Sequence, residues 1–553
     1  MEEVKRKPIF TDSGSSMHAD RFTHIIVGAG SAGCIVARRV AENRAFDVLL
    51  IEAGPDIGPS PTNASSIPYG VRDARRVPMT GQSEIFDPRI DWNLEVDIDC
   101  GGRMIVPQAK VMGGGSSING GTFLRNTASD AREWVNLGND GWDFNSSVAV
   151  YEELEGDTLR GTRGPHPIAR ASMGEAGKIQ AAFVEDVKSR GLQSILDLQA
   201  TGAEGVGPSP VCRRDSTRVS AADTFIDPIR LFPNFTILAN SLVDRVLFQD
   251  RKAVTVVLAN GREIHATHEI ILCAGAIFSP AILQRSGIGP TELLGRHGIA
   301  PLAELPVGLN LSDHPCIPLV ARPRPGAYTD TDYSLQMQAR WSSSLHPGAI
   351  DLQMVCFSYL FAQPTDLPIP RGRQPQRSLG GTETGHVAGI GCNINKPSSV
   401  GMVEIRSRDP NQMPTVRPNY LSNPHDRALA REVVRTAYAV LTSPTMQTLL
   451  TAPLGITAQV VADDMMLDGY IKAHYSTTYH YCGSCRMASR EKGGVVDQSG
   501  RVYGMKGLRV ADASVLPTIP AANTMASSML VGERVGRSVC DGRSIQKPAS
   551  SRI

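Results

Sequence analysis

The stretch that most narrows what this chain can fold into is Gly28-Ala29-Gly30-Ser31-Ala32-Gly33. It follows FTHIIVG, a short apolar run rich in β-branched residues. It opens a segment, AGSAGCIVARRVAEN, whose apolar positions recur at helical spacing, and DVLLIEAG then reads as a second buried strand. Strand, glycine turn, helix and strand make a βαβ unit from Arg21 to Gly54. In such a unit Gly28 permits the tight turn, Gly30 lets the backbone approach a pyrophosphate, and Gly33 lets the helix pack closely on the sheet. Ser31 and Ala32 start the helix whose N–H groups face the phosphates. Glu52, nineteen residues after Gly33, ends the second strand, where an acidic side chain can accept both hydroxyls of a ribose. The expected fold class is therefore α/β, with a Rossmann-like dinucleotide domain.

At 553 residues the chain is long enough for more than one domain. Fifty-six basic and fifty-five acidic residues leave a net charge of +1, and no Lys/Arg block forms a footprint for nucleic acid or a membrane surface. A small uncharged substrate suits that balance. No apolar leader opens the sequence and no run approaches about eighteen apolar residues, so a soluble cytoplasmic protein is expected. The tail Ser551-Arg552-Ile553 is a loose variant of a peroxisomal address, which keeps that compartment as the alternative. Ten cysteines over this length fit buried thiols in a reducing compartment. Sequons at Asn63, Asn145, Asn234 and Asn310 matter only in a secreted chain. Oligomeric state is not legible.

Residues 55 to 110 are rich in Pro, Gly and Asp and read as an irregular lid. VMGGGSSINGGTFLRN, residues 111 to 126, offers backbone N–H groups and hydroxyls to an anionic or carbonyl-rich ligand edge. Residues 241 to 289 return to short strands and a helix, and 315 to 475 read as a separate mixed-sheet domain. The chain closes with a strand, a Pro-rich turn and an apolar helix. YHYCGSCRM, residues 479 to 487, is ambiguous: Cys482 and Cys485 could be a redox pair, zinc ligands together with His480, or packed thiols. A flavoprotein disulfide reductase needs a second nucleotide fold for NAD(P)H, and no second GxGxxG sits between a strand and a helix. Packed thiols and no metal site are the expectation.

Taken in order, the βαβ unit with Glu52, GGGSSIN at 113 to 119, GAIFSPAILQRSGIG at 275 to 289, VGLNLSDHP at 307 to 315, HYCGSCRM at 480 to 487 and VADASVLPTIPAAN at 510 to 523 resemble the glucose-methanol-choline (GMC) family of FAD-dependent oxidoreductases. The resemblance covers nearly the whole chain. It implies an FAD domain built from 21–314 and 476–545, a substrate domain at 315–475, and tails at 1–20 and 546–553. It implies Gly28, Gly30 and Gly33 at the pyrophosphate, Glu52 at the adenosine ribose and Val243 at the adenine. Gly114, Ser117 and Asn119 would lie near the flavin, Asp512 and Ala513 at the pyrophosphate-ribityl region, and Asn523 and Thr524 where the last helix points at the flavin. Ile118 occupies the position where some relatives carry a flavin-linking histidine, so FAD is expected to be non-covalent.

The resemblance further implies His480 as the base that takes a hydroxyl proton while a hydride passes to the flavin, with Asn523 holding the substrate oxygen. Dioxygen or another acceptor would reoxidise the flavin, and oxidase and dehydrogenase both stay open. A small neutral primary alcohol, aromatic or furan-like, fits better than a cation, because aromatic residues are only 5% of the chain and no charged cluster marks the inserted domain. The same fold also serves lyases, so an FAD protein without net redox turnover is the alternative.

Overall fold

The computed structural model describes residues 20–58, 72–75, 89–98, 102–172, 174–329, 331–362 and 385–546. The sequon at Asn63 and the tail Ser551-Arg552-Ile553 lie outside the described residues. Strand Arg21–Val27 pairs in parallel with Val48–Ile51 on one side and with Glu263–Leu272 on the other. Phe235–Leu238 extends the first edge, and Leu508–Val510 adds to Glu263–Leu272, again in parallel. Two antiparallel strands, Lys252–Leu258 and Val243–Gln249, complete the sheet. Strand Val48–Ile51 is buried along its length, and Arg21–Val27 and Glu263–Leu272 are buried at their C-terminal ends, as expected where helices cover both faces.

The first helix, Ser31–Glu42, packs against the last long helix, Thr524–Asp541. Glycine permits the close approach: a Cβ on Gly532 would lie 2.6 Å from the Ala32 carbonyl oxygen. Arg39 and the buried Glu533 close the same interface with a 2.6 Å ion pair. These two helices thereby pack residues 31–42 against residues 524–541, far apart in sequence.

The second sheet runs Ser476–Thr477, Pro315–Ala321, Gly385–Ile394, Leu352–Ala362, Leu335–Trp341, Gly205–Pro208, with antiparallel pairs throughout. Helices Lys178–Ser189 and Pro424–Leu441 bury Phe183, Val187, Val433 and Ala437 in its core. Helix Lys178–Ser189 and strand Gly205–Pro208 come from inside the segment 21–314 assigned from sequence to the FAD domain. Their partners lie far downstream, so local periodicity gave no sign of the exchange. Within the stretch read as an irregular lid, Leu94–Ile98 and Gly102–Val106 pair as an antiparallel ladder. No described helix is long and apolar enough to cross a membrane.

Candidate active site

A cavity of about 860 Å³ extends from the glycine turn of the parallel sheet to the inner face of the second sheet. At the first end it is lined by Gly28, Gly30, Ser31, Ala32, Glu52 and Val243, and along its middle by Gly114, Asn119, Asp512 and Ala513. At the far end it is lined by His480, Asn523 and Thr524. Two other predicted residues stand behind the wall. Gly33 serves packing: a Cβ there would lie 1.9 Å from the Gly28 carbonyl oxygen. Ser117 turns its hydroxyl away to donate to the Met112 carbonyl, 2.8 Å, and is not among the lining residues.

The first end is shaped by close backbone approaches. Gly28 has φ +100, and a Cβ on it would meet the Cys273 carbonyl oxygen at 2.5 Å. Gly114 has φ +54, and its Cβ would lie 2.6 Å from Gly30 Cα, so two glycine loops touch backbone to backbone. Neither Ser31–Glu42 nor Thr524–Asp541 has a side-chain cap or an acidic first turn, although both begin in the cavity wall. Their free N–H groups and positive dipole ends therefore face the cavity, where an anion would be stabilised. Glu52 accepts from Ala29 N–H at 2.8 Å and Gly54 N–H at 2.9 Å, keeping lone pairs for a ligand hydroxyl, and burial pushes its carboxyl pKa upward. Asp512 ties the middle together by accepting from Gly275 N–H, Ser279 Oγ and Ser514 N–H.

The far end contains a chain of hydrogen bonds whose direction can be read atom by atom. His314 Nε2 lies 3.0 Å from the Pro520 carbonyl, which can only accept, so this nitrogen carries the hydrogen. Burial holds the His314 pKa down to about 3, so the ring is neutral and its Nδ1 is a lone pair. His480 Nδ1 stands 2.9 Å from that lone pair and must donate to it. Thr478 Oγ1, 2.8 Å away, accepts from the same hydrogen while its own hydroxyl donates to the His314 carbonyl. His480 Nε2 is therefore left as a lone pair, 3.2 Å from the Asn523 amide nitrogen and at the cavity wall.

Asp313 fixes the backbone beneath. It accepts from His480 N–H at 2.6 Å and from the hydroxyls of Tyr420 and Thr477, and burial raises its pKa to about 6, which still leaves a carboxylate at neutral pH. Tyr479, with φ +64, makes the left-handed turn that presents His480. Burial, and then the neighbouring His314, hold His480 well below its ordinary value. Asn523 occupies the cap position of the last helix but makes no side-chain cap, so its amide serves the cavity. Asp313, His314 and Thr478 were not singled out from the sequence. The first two sit in VGLNLSDHP, a segment that carried the family resemblance, and that was the available signal.

Cys482 and Cys485 are both free and fully buried, and burial pushes both thiols upward, away from the reactive thiolate. This environment fits packed thiols.

Residues 22–316 and 397–532 match the two GMC oxidoreductase family signatures. The oxygen-dependent choline dehydrogenase of Cronobacter sakazakii is 31% identical over 94% of this chain and 95% of its own. The 5-(hydroxymethyl)furfural oxidase of Methylovorus sp. is 31% identical over 94% and 98%. Among solved structures, pyridoxine 4-oxidase from Mesorbium loti superposes with a TM-score of 0.79 at 26% identity, over 93% of this chain and 98% of that one.

Proposed function

This chain belongs to the GMC oxidoreductase family, and on that premise we propose that it binds FAD non-covalently and oxidises a small neutral primary alcohol to an aldehyde. It is an oxidoreductase acting on alcohols. The observation that carries the finer reading is the lone pair fixed on His480 Nε2 beside the Asn523 amide. Gly28, Gly30, Gly114 and the uncapped start of Ser31–Glu42 would hold the pyrophosphate, Glu52 the adenosine ribose, and the uncapped start of Thr524–Asp541 would face the flavin. FAD, when bound, supplies hydride acceptance.

The chain's own residues handle the proton. Asn523 Nδ2–H orients the substrate oxygen and stabilises its developing negative charge. His480 Nε2 takes the hydroxyl proton, and His314, with Nδ1 as acceptor, holds the tautomer that makes this possible. Among the described lining residues the carboxylates are Glu52 and Asp512, both at the nucleotide part of the cavity. With no carboxylate among the described residues that line the catalytic end, Asp313 being buried beneath His480 and already accepting three hydrogen bonds, a neutral alcohol is favoured over a quaternary ammonium. Formation of aldehyde in proportion to the flavin reduced, in anaerobic mixing with a panel of primary alcohols, tests the assignment. Loss of the flavin band without aldehyde would defeat it.

Three results follow. Asn523→Ala should slow flavin reduction roughly a hundredfold, the usual effect of removing one oxyanion donor. A variant as fast as wild type would leave Asn523 without a part in the reaction. Because the pKa of His480 is lowered, its accepting form persists below the ordinary value of 6.5. The profile of kcat/KM should then stay level from about pH 8 down to about 6.5, and an acid limb centred above about 7 would contradict a buried neutral base. Ile118, buried in the cavity wall, offers no nucleophile where a flavin link could form. Acid precipitation should therefore leave all flavin in the supernatant, and flavin in the washed pellet would show a covalent bond.

A further inference from the structure

Three amide side chains cross adjacent strands of the second sheet on the face that borders the cavity. Gln353 Nε2 donates to Gln338 Oε1, and Asn393 Nδ2 donates to Gln353 Oε1 at 3.1 Å. Gln353 and Asn393 are direct cross-strand partners, while Gln338 faces Gln353 diagonally. All three are at least nine-tenths buried, and Gln338 and Asn393 both line the cavity. The row ends on unmade bonds: Gln338 Nε2 and Asn393 Oδ1 have no partner. Reversing every amide leaves the same outcome with the ends exchanged, one donor and one acceptor. A buried row of this kind is complete only when its ends are met, by an acceptor at Gln338 Nε2 and a donor at Asn393 Oδ1.

The row lies beside the catalytic groups. Asn393 pairs with Cys316, two residues after His314, and Arg340, two residues after Gln338, donates to the carbonyls of Leu198 and Ala521. Beyond it the wall turns apolar at Val355 and Phe357.

Resting on the alcohol-oxidising reading above, the geometry points to Gln338 and Asn393 as a specificity subsite for a second, uncharged donor-acceptor group on the substrate. A hydroxyl or a primary carboxamide carries that chemistry. The substrate class is then a neutral primary alcohol with such a group at its other end. A quaternary ammonium, which neither donates nor accepts, cannot complete the row.

The test uses FAD-loaded protein carrying His480→Ala, in which binding is read from perturbation of the flavin absorbance without turnover. The probes are matched pairs: benzyl alcohol and para-benzenedimethanol, furfuryl alcohol and furandimethanol, with para-(hydroxymethyl)benzamide as the amide arm and choline as the cation. The bifunctional member of at least one pair should bind about tenfold or more tightly, the yield of two modest hydrogen bonds. Tighter binding of the amide than of the diols would name carboxamide as the group. Adding Gln338→Leu and Asn393→Leu should collapse the ratio to within about threefold. Equal binding within every pair, or choline binding more tightly than every diol and the amide, would overturn the subsite, and the unsubstituted row gives that answer even if the double variant does not fold. Because binding is read without turnover, failure of the subsite remains separate from failure of alcohol oxidation, which the wild-type protein reports by flavin bleaching.

Discussion

Replacing His480 with Ala should lower the rate of flavin reduction by alcohol about a thousandfold, roughly 4 kcal/mol of barrier, while the protein keeps its FAD. The retention follows from where His480 stands: its side chain touches His314, Thr478 and Asn523, and no glycine of the nucleotide turn. The loss follows from the lone pair. With Nδ1–H pinned by His314, no other described group in the Asn523 contact is ready to take a proton, since the amide nitrogen only donates. His314→Leu offers a companion result. Without its acceptor, His480 can hold its hydrogen on Nε2, and reduction should slow about tenfold to a hundredfold with the flavin still bound. Stopped-flow absorbance on the two variants measures both. Wild-type rates in His480→Ala would remove it as the base.

Gly114→Ala should yield protein largely free of FAD. The new Cβ would sit 2.6 Å from Gly30 Cα, a distance that only backbone movement relieves, and φ +54 with ψ −139 is a conformation held almost solely by glycine. Strain and displacement of about 3 kcal/mol correspond to roughly a hundredfold in FAD affinity. Gly295→Ala is the comparison, because a Cβ there meets nothing within 4 Å. Flavin-to-protein absorbance ratios of the two purified variants decide it. Full FAD occupancy in Gly114→Ala would mean that the two glycine loops are not the phosphate cradle.

The contrast between local and non-local features explains how much was legible in the sequence. The βαβ unit from Arg21 to Gly54 could be read directly, because its turn, helix start and acidic residue are neighbours in sequence and each glycine has a steric reason. His480 and Asn523 were named through the pattern of a family and not through spacing. Residues 43 positions apart announce no hydrogen bond by themselves. His314 stayed unassigned because its role depends on Pro520 and His480, both far along the chain, and on burial that neutralises its ring. The Gln338–Gln353–Asn393 row was invisible for the same reason: three amides become one device only after three strands pair. Strand Gly205–Pro208 is too short to declare which sheet it joins. Cys482 and Cys485 show the converse, since a spacing that fits redox and metal chemistry is, once buried at 0% exposure, hydrophobic packing.

The most direct measurement is anaerobic stopped-flow absorbance at about 450 nm, the oxidised flavin band, on FAD-loaded wild-type protein mixed with a primary alcohol and with the same alcohol deuterated at its reacting carbon. The band should bleach, one aldehyde should appear per flavin reduced, and deuterium should slow the bleaching because the C–H bond is broken as it happens. An oxidised flavin that persists through the alcohol panel while dithionite still reduces it, with substrate converted all the same, would contradict hydride transfer and assign the site to chemistry without net redox turnover.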